Sequence, residues 1–377
     1  MQTDKVTTPG LVANDRNERI KRTYFRRLRG PSGHCEATIR NIERSIGLYE
    51  EFTHFEDFGR FNQKKALEFK KWLENRRHRD SKVAVATQYQ ILRKVKVFFY
   101  WLREQPGFRT RILLDDIGYL NLDRKKVREA TTYVGRQYPP LEHVINLCNS
   151  IAIKSEIDMR DRALIAFTLL SGMRDQAIVT LRLGCFSLDA LTINQYPKLG
   201  VETKFGKSNL SHLFRFDESL LQYILDWVDF LKRTKSFSNK NPMFPRTKLV
   251  QSDGNLSFSA GGVEPIFWKG TGAIREIFKM RSAVAGLPYF PPHSFRHLAV
   301  FLAFKQCNTA EQIKAVSQNF GHEHVTTTLT VYGALDGYRV AEIIRELEFR
   351  GAKSGMSDEE IRRVANEVIS KLGSKPS

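Results

Sequence analysis

Cysteine is scarce in this chain: four in 377 residues (Cys35, Cys148, Cys185, Cys307), with no CxxC pair among them. That scatter excludes a zinc ribbon and a disulfide-stapled scaffold, and it fits a reducing compartment. No apolar run approaches the roughly 18 residues of a membrane-spanning helix, and the N-terminus has no apolar signal-peptide core. The expectation is a cytoplasmic protein, neither secreted nor held in a membrane. Repeats and low-complexity tracts are also absent.

Acidic residues are in deficit as well, 41 against 60 Lys+Arg, for a net charge of +19. With 41% hydrophobic and 27% charged residues, the chain is folded rather than disordered and long enough for two cores. A cationic excess of this size favours a polyanionic partner, most simply nucleic acid. A merely solvated basic surface explains one basic helix better than an excess spread over several segments.

Residues 1–35 begin polar and turn basic, with seven Lys/Arg between Arg16 and Arg29. They read either as an arm that orders on DNA or as a solvated tail. From Thr38 the apolar residues fall at helical spacing: Ile39, Ile42, Ile46, Tyr49 and Phe52, then Ala66, Phe69, Trp72 and Leu73, then Ile91, Leu92, Val95, Phe98, Phe99 and Leu102. The polar faces of this helical module, residues 36–120, carry Arg76, Arg77, Arg93, Lys94 and Lys96. Residues 121–140 lack apolar periodicity, hold Arg124, Lys125 and Lys126, and read as a basic linker.

A second domain is expected over 141–340. It contains an apolar helix ending at Ser171-Gly172-Met173-Arg174, then short strands around 191–193, 200–204 and 212–216, with a turn at Gly206-Lys207-Ser208. Helical patterning resumes at 219–231, 273–284 and 294–304, and Thr309-Ala310-Glu311-Gln312 is a capping box for a helix to Asn319 that Gly321 stops. In the tail, 341–377, residues 357–372 form an amphipathic helix that packs on its own domain or on a neighbouring subunit. The fold class is mainly α with a small antiparallel β-sheet.

Cutting DNA without a metal needs a nucleophile for phosphorus, charge neutralisation in the transition state and a proton for the leaving oxygen. Arginine's planar fork suits the second task, tyrosine the first, and lysine or histidine the third. His293 and Arg296 share the first turn of a helix, whose N-terminal dipole favours a phosphate. His322 follows Gly321, and Tyr332 lies ten residues further on. Arg174 emerges from a buried element, and Lys204 and Lys207 flank Phe205-Gly206. Each of these alone reads equally well as structural: a surface pair, a capping histidine, a core tyrosine, solvated lysines.

Their order, however, resembles the tyrosine recombinase (phage integrase) family over nearly the whole chain. The specific runs are Phe290-Pro291-Pro292-His293-Ser294-Phe295-Arg296-His297 and Phe320-Gly321-His322 through Tyr332-Gly333. The resemblance implies a helical core-binding domain and a catalytic domain forming a clamp around double-stranded DNA. It implies that Arg174 and Arg296 hold the scissile phosphate, Lys204 is the general acid, His293 moves a proton, His322 hydrogen-bonds the phosphate, and Tyr332 is the nucleophile. It implies no metal and no cofactor, a tetrameric synapse on DNA in which residues 357–372 could dock on a neighbour, accessory DNA-bending proteins as possible partners, and a nucleoid location. Lys204 fits the family's Lys-x-Gly-Lys turn better than Lys207, which is assigned to DNA contact. The family's acid three residues after the first arginine is here Ala177; Asp175 or Gln176 is left to brace Arg174. Two alternatives stand beside this reading: a type IB topoisomerase-like enzyme that relaxes one duplex, and a DNA-binding regulator without catalysis.

Overall fold

The computed structural model describes residues 14–78, 81–132, 137–251 and 258–321. The chain divides into two compact units, Met1–Val134 and Gly135–Ser377, each with its own apolar core. Both are mainly helical, with small antiparallel sheets. Among the described residues no helix is long and apolar enough to cross a membrane.

The first unit contains helices α1 (Asp15–Arg29), α2 (Glu36–Phe52), α3 (Gln63–Asn75), α4 (Val85–Arg103), α5 (Leu114–Gly118) and α6 (Arg124–Thr131), with a small hairpin β1 (Arg77–His78) and β2 (Ser81–Lys82) after α3. The apolar stripes of α2, α3 and α4 meet in an aromatic core. There the Tyr49 ring stands edge-on to Phe69 at 5.2 Å and to Phe99 at 5.0 Å, while Phe61 stacks on Phe99 at 4.0 Å. Offset and edge-on pairs of this kind add to the burial energy of large rings.

Two segments differ from expectation. Residues 15–29 are not a loose arm but helix α1, capped by the Asn14 side chain, which accepts from the Arg16 and Asn17 amides. Its arginines are exposed, whereas Tyr24, Phe25 and Leu28 are buried in the core and Lys21 turns inward to pair with Glu50 at 2.7 Å. Asn17 clips the helix down by donating to the Glu56 carbonyl at 2.9 Å and accepting from the Phe58 amide at 3.1 Å. The charge run obscured three apolar residues at helical spacing. Likewise Arg124–Thr131 of the expected linker is a helix, capped by Asp123. Val127 packs against the core. One apolar anchor is too few to produce a visible period.

The second unit is organised around α8 (Glu156–Ser171), whose residues 163–171 are all buried. Among the described residues, helices α7 (Leu141–Asn149), α9 (Asp175–Val179), α10 (Glu218–Asp229), α11 (Gly272–Val284), α12 (Pro292–Lys305) and α13 (Ala310–Asn319) accompany it. A helix that is apolar all round belongs in the middle of a bundle. A buried ionic network fixes its start: Arg160 pairs with Asp161 at 2.7 Å, and Arg281 of α11 reaches Asp158 and Asp161, both at 2.7 Å. The Thr309 capping box is present, with Gln312 reaching back.

Strands β3 (Phe186–Ser187), β4 (Thr192–Gln195) and β5 (Asn209–His212) form one antiparallel sheet, and β6 (Arg246–Gln251) pairs with β7 (Phe258–Glu264). Residues 200–204, expected as a strand, instead follow a turn at Pro197–Leu199, where Gly200 has φ 83°. Beyond His212 the chain leaves the sheet, and the Phe214 amide donates to the Leu170 carbonyl at 2.8 Å. The β6–β7 pair was not anticipated, because its segments lack apolar alternation and carry Gly261-Gly262.

Removing the Tyr24 ring, which meets Phe98 at 5.2 Å and Trp101 at 4.7 Å, should cost on the order of 3 kcal/mol. Tyr24→Ala is expected to lower the urea midpoint of the full chain and to speed amide exchange across 15–29. Unchanged stability and exchange would mean that α1 is an undocked arm.

Candidate active site

Helix α12 opens with Pro291 at its N-cap and Pro292 at its first position, where a missing N–H costs nothing. The Ser294 hydroxyl donates to the Pro291 carbonyl at 2.7 Å and tightens this turn. One turn in, Arg296 is 3% exposed. Its Nη1 donates to the Gly172 carbonyl at 2.5 Å and its Nη2 to the Phe320 carbonyl at 2.8 Å. One planar fork therefore joins the C-terminus of α8, two residues before Arg174, to the end of α13, two residues before His322.

Phe320 fills the space between these elements. The Arg296 guanidinium lies 5.2 Å from its ring centre, and Phe214 stacks on it at 5.1 Å. Gly172 closes α8 in the left-handed region at φ 55°, and a Cβ there would meet the Phe320 ring at 2.3 Å. Glycine is thus required at this position twice over, by backbone and by contact. The lysine-bearing loop is tied to the same place. It leads into β5, where the Asn209 side chain donates to the Asn319 carbonyl at 3.1 Å. The His212 amide donates to Asn319 Oδ1 at 2.7 Å, and Asn319 Nδ2 returns a bond to the His212 carbonyl at 3.0 Å.

His293 is exposed at the start of α12, and its ring stands edge-on to the buried His297 at 4.8 Å. Arg174 is half-buried at the N-cap of α9. Of the two residues left to brace it, Gln176 turns away and donates to Glu202 at 2.9 Å. Asp175 Oδ1 is buried with no hydrogen-bond partner among the described residues. Burial raises the Asp175 carboxyl above its ordinary 3.8, and the Arg275 charge offsets only part of this. Ala177, where an acid was looked for, is buried in the core. Lys204 is exposed and Lys207 half-buried, their Nζ atoms 5.0 and 5.8 Å from the Phe205 ring centre. His322 and Tyr332 lie outside the described residues, as do residues 341–377. Asn319 and Phe320 were not singled out beforehand, although Phe320 directly precedes the Gly-His pair.

A model of the phage integrase family matches residues 141–338, more than half of the chain. The chain belongs to this family, the tyrosine recombinases. Comparison with curated protein sequences finds no match. Among solved structures, a lambda integrase dimer bound to a COC′ core site aligns with a TM-score of 0.58 at 14% identity, covering 89% of this chain and 79% of that one. The Tn1549 transposon integrase in complex with circular intermediate DNA gives 0.56 at 15%, covering 87% and 99%. XerH recombinase bound to its difH substrate gives 0.53 at 16%, covering 83% and 80%. At these identities the likeness is one of fold.

The candidate DNA contacts of the first unit separate into two groups. Arg77, Arg93, Arg124 and Lys125 are exposed. Arg76 pairs with Glu51 at 2.6 Å and covers the Trp72 ring, Lys94 donates to Asn41 and Lys96 to Asn121, both at 2.8 Å, and Lys126 pairs with Glu74. These four would have to exchange protein partners for phosphate.

The sign of the Asp175 effect follows from linkage. A carboxyl whose folded value is raised contributes stability that is present below about 3.8 and is lost as pH rises through the folded value. Asp175→Asn is expected to raise the urea midpoint at about pH 7, with the gain shrinking as pH falls toward about 4. An Asn variant less stable than wild type at neutral pH would show instead that a charged, paired carboxylate holds this turn.

Proposed function

We propose that this tyrosine recombinase is a site-specific enzyme that cuts and rejoins two DNA duplexes through a 3′-phosphotyrosine and a Holliday junction, without a metal. The observation that carries the reading is the Arg296 fork. It holds the turn before Arg174, the helix bearing His293 and the helix end before His322 in one place. Residues 36–120 then act as the core-binding domain and 141–340 as the catalytic domain.

The Tyr332 hydroxyl oxygen attacks the scissile phosphorus while His293 accepts its proton. A phosphorus–tyrosine bond forms, the bond to the 5′-oxygen breaks, and Lys204 gives that oxygen a proton. His322 hydrogen-bonds a non-bridging oxygen. Arg174 at the mouth of the turn and the desolvated charge of Arg296 offset the negative charge that grows on the phosphate. Reversal by the 5′-hydroxyl of another strand rejoins the DNA, and the tyrosyl ester keeps the energy of the broken bond, so no cofactor is needed. A solved lambda integrase tetramer is bound to a Holliday junction; an equivalent tetramer of this chain, with residues 357–372 docked on a neighbour, is part of the proposal. Arg77, Arg93, Arg124 and Lys125 would grip the duplex, giving steeply salt-dependent binding.

The test is covalent trapping on a library of nicked duplexes, with EDTA present throughout. Wild type is expected to form an adduct. Tyr332→Phe should lose it while still binding DNA, and Lys204→Ala should slow it far more than Lys207→Ala. An adduct formed by the Phe variant would move the nucleophile elsewhere, with Tyr338 the next candidate. Site-independent relaxation of supercoiled plasmid by a monomer would replace recombination with topoisomerase activity.

A further inference from the structure

The Lys204–Lys207 turn holds one residue that folding does not account for. Phe205 is 81% exposed, the most exposed large apolar side chain among the described residues. Its backbone lies in the left-handed region, at φ 63° and ψ 18°. A bulky residue with positive φ is an outlier that persists only where its surroundings impose it, and such strain gathers at sites of function. The base of the loop is rigid. Val201 is buried on one side, and β5 is fixed to Asn319 on the other. The Thr203 hydroxyl closes the turn by donating to the Lys207 carbonyl at 2.6 Å. An aromatic ring is therefore pushed into solvent at the tip of an anchored loop, with a lysine ammonium on each flank.

Two cations beside the ring make an apolar protein surface a poor partner for it. A polyanion with flat aromatic faces suits it well, and duplex DNA offers both: phosphates for the lysines and base faces for the ring. We propose that Phe205 is a wedge that inserts at a base step next to the scissile phosphate and partly unstacks it, while Lys204 reaches the leaving oxygen on one side and Lys207 holds the backbone on the other. The inference rests on the recombinase reading of the same loop. It adds a source of specificity that needs no hydrogen bond to a base edge, because steps that open easily, pyrimidine–purine steps above all, accept such a wedge at lower cost.

The experiment uses the full chain and nicked duplexes carrying 2-aminopurine at successive positions around the cleavage point. Phe205→Gly removes the ring and suits the positive φ, so the turn is kept; Phe205→Trp retains an aromatic face. Wild type and the Trp variant are expected to brighten the probe at one step, and the Gly variant to leave it dark. The Gly variant should cleave the nicked duplex with all bases present about tenfold more slowly, the scale of one lost stacking contact. An abasic site at the probed step should return its rate to near that of wild type. Equal brightening and equal cleavage by the Gly variant would overturn the wedge. So would a defect that the abasic site does not relieve, because the ring would then serve only to place the lysines. Brightening by wild type without any covalent adduct would uphold the wedge and remove the recombinase reading instead.

Discussion

The guanidinium of Arg296 is the interaction on which the candidate site depends. A buried, charged fork makes two strong hydrogen bonds to carbonyls that would otherwise be left in a dry interior, each at a cost of about 1–3 kcal/mol if unmet. Those carbonyls belong to Gly172 and Phe320, at the ends of α8 and α13. Lysine has a single nitrogen where two donate here, so it does not reproduce this planar pair of bonds. The residue proposed to hold the phosphate is thus also the brace that sets the turn before Arg174 and the end of α13.

Around that fork the packing leaves few alternatives. Phe320 sits between the Arg296 guanidinium and the Phe214 ring and lies against Gly172, where even a methyl group would collide. Asn319, one residue earlier, exchanges hydrogen bonds with β5 and so ties in the lysine loop. Four segments far apart in sequence are held by one arginine, one phenylalanine and one asparagine. The loop tip beyond them, with Phe205 and its two lysines, projects from a fixed base. An anchored base with an exposed tip suits a contact that has to reach into a groove.

Most of the helices were legible in the sequence because their apolar residues keep a strict period: Ile39 to Phe52, Ala66 to Leu73, Ile91 to Leu102. The capping box at Thr309 marked α13 to the residue. What escaped did so for physical reasons. The docked face of α1 consists of Tyr24, Phe25 and Leu28 inside a run of arginines, and charge density concealed the stripe. α6 places one apolar side chain, Val127, against the core. The β6–β7 pair has no apolar alternation, with Leu249 exposed on its surface. In the site, the order of Arg174, Lys204, His293, Arg296, His322 and Tyr332 was readable as a motif pointing to a family, and that family's model matches residues 141–338. The motif does not say how its parts are held. That lies in backbone carbonyls and in Phe320 and Asn319, which no spacing rule singles out.

The most direct measurement is hydrogen exchange by mass spectrometry on the full chain, comparing wild type with Arg296→Met, which keeps an unbranched side chain and removes both donors. If the fork joins the two turns, amides across 170–175 and across 318–321 should lose protection together and to a similar degree, while the first unit remains unchanged. Protection lost in only one of these segments, or in neither, would contradict the account and leave Arg296 as a phosphate ligand with no structural role.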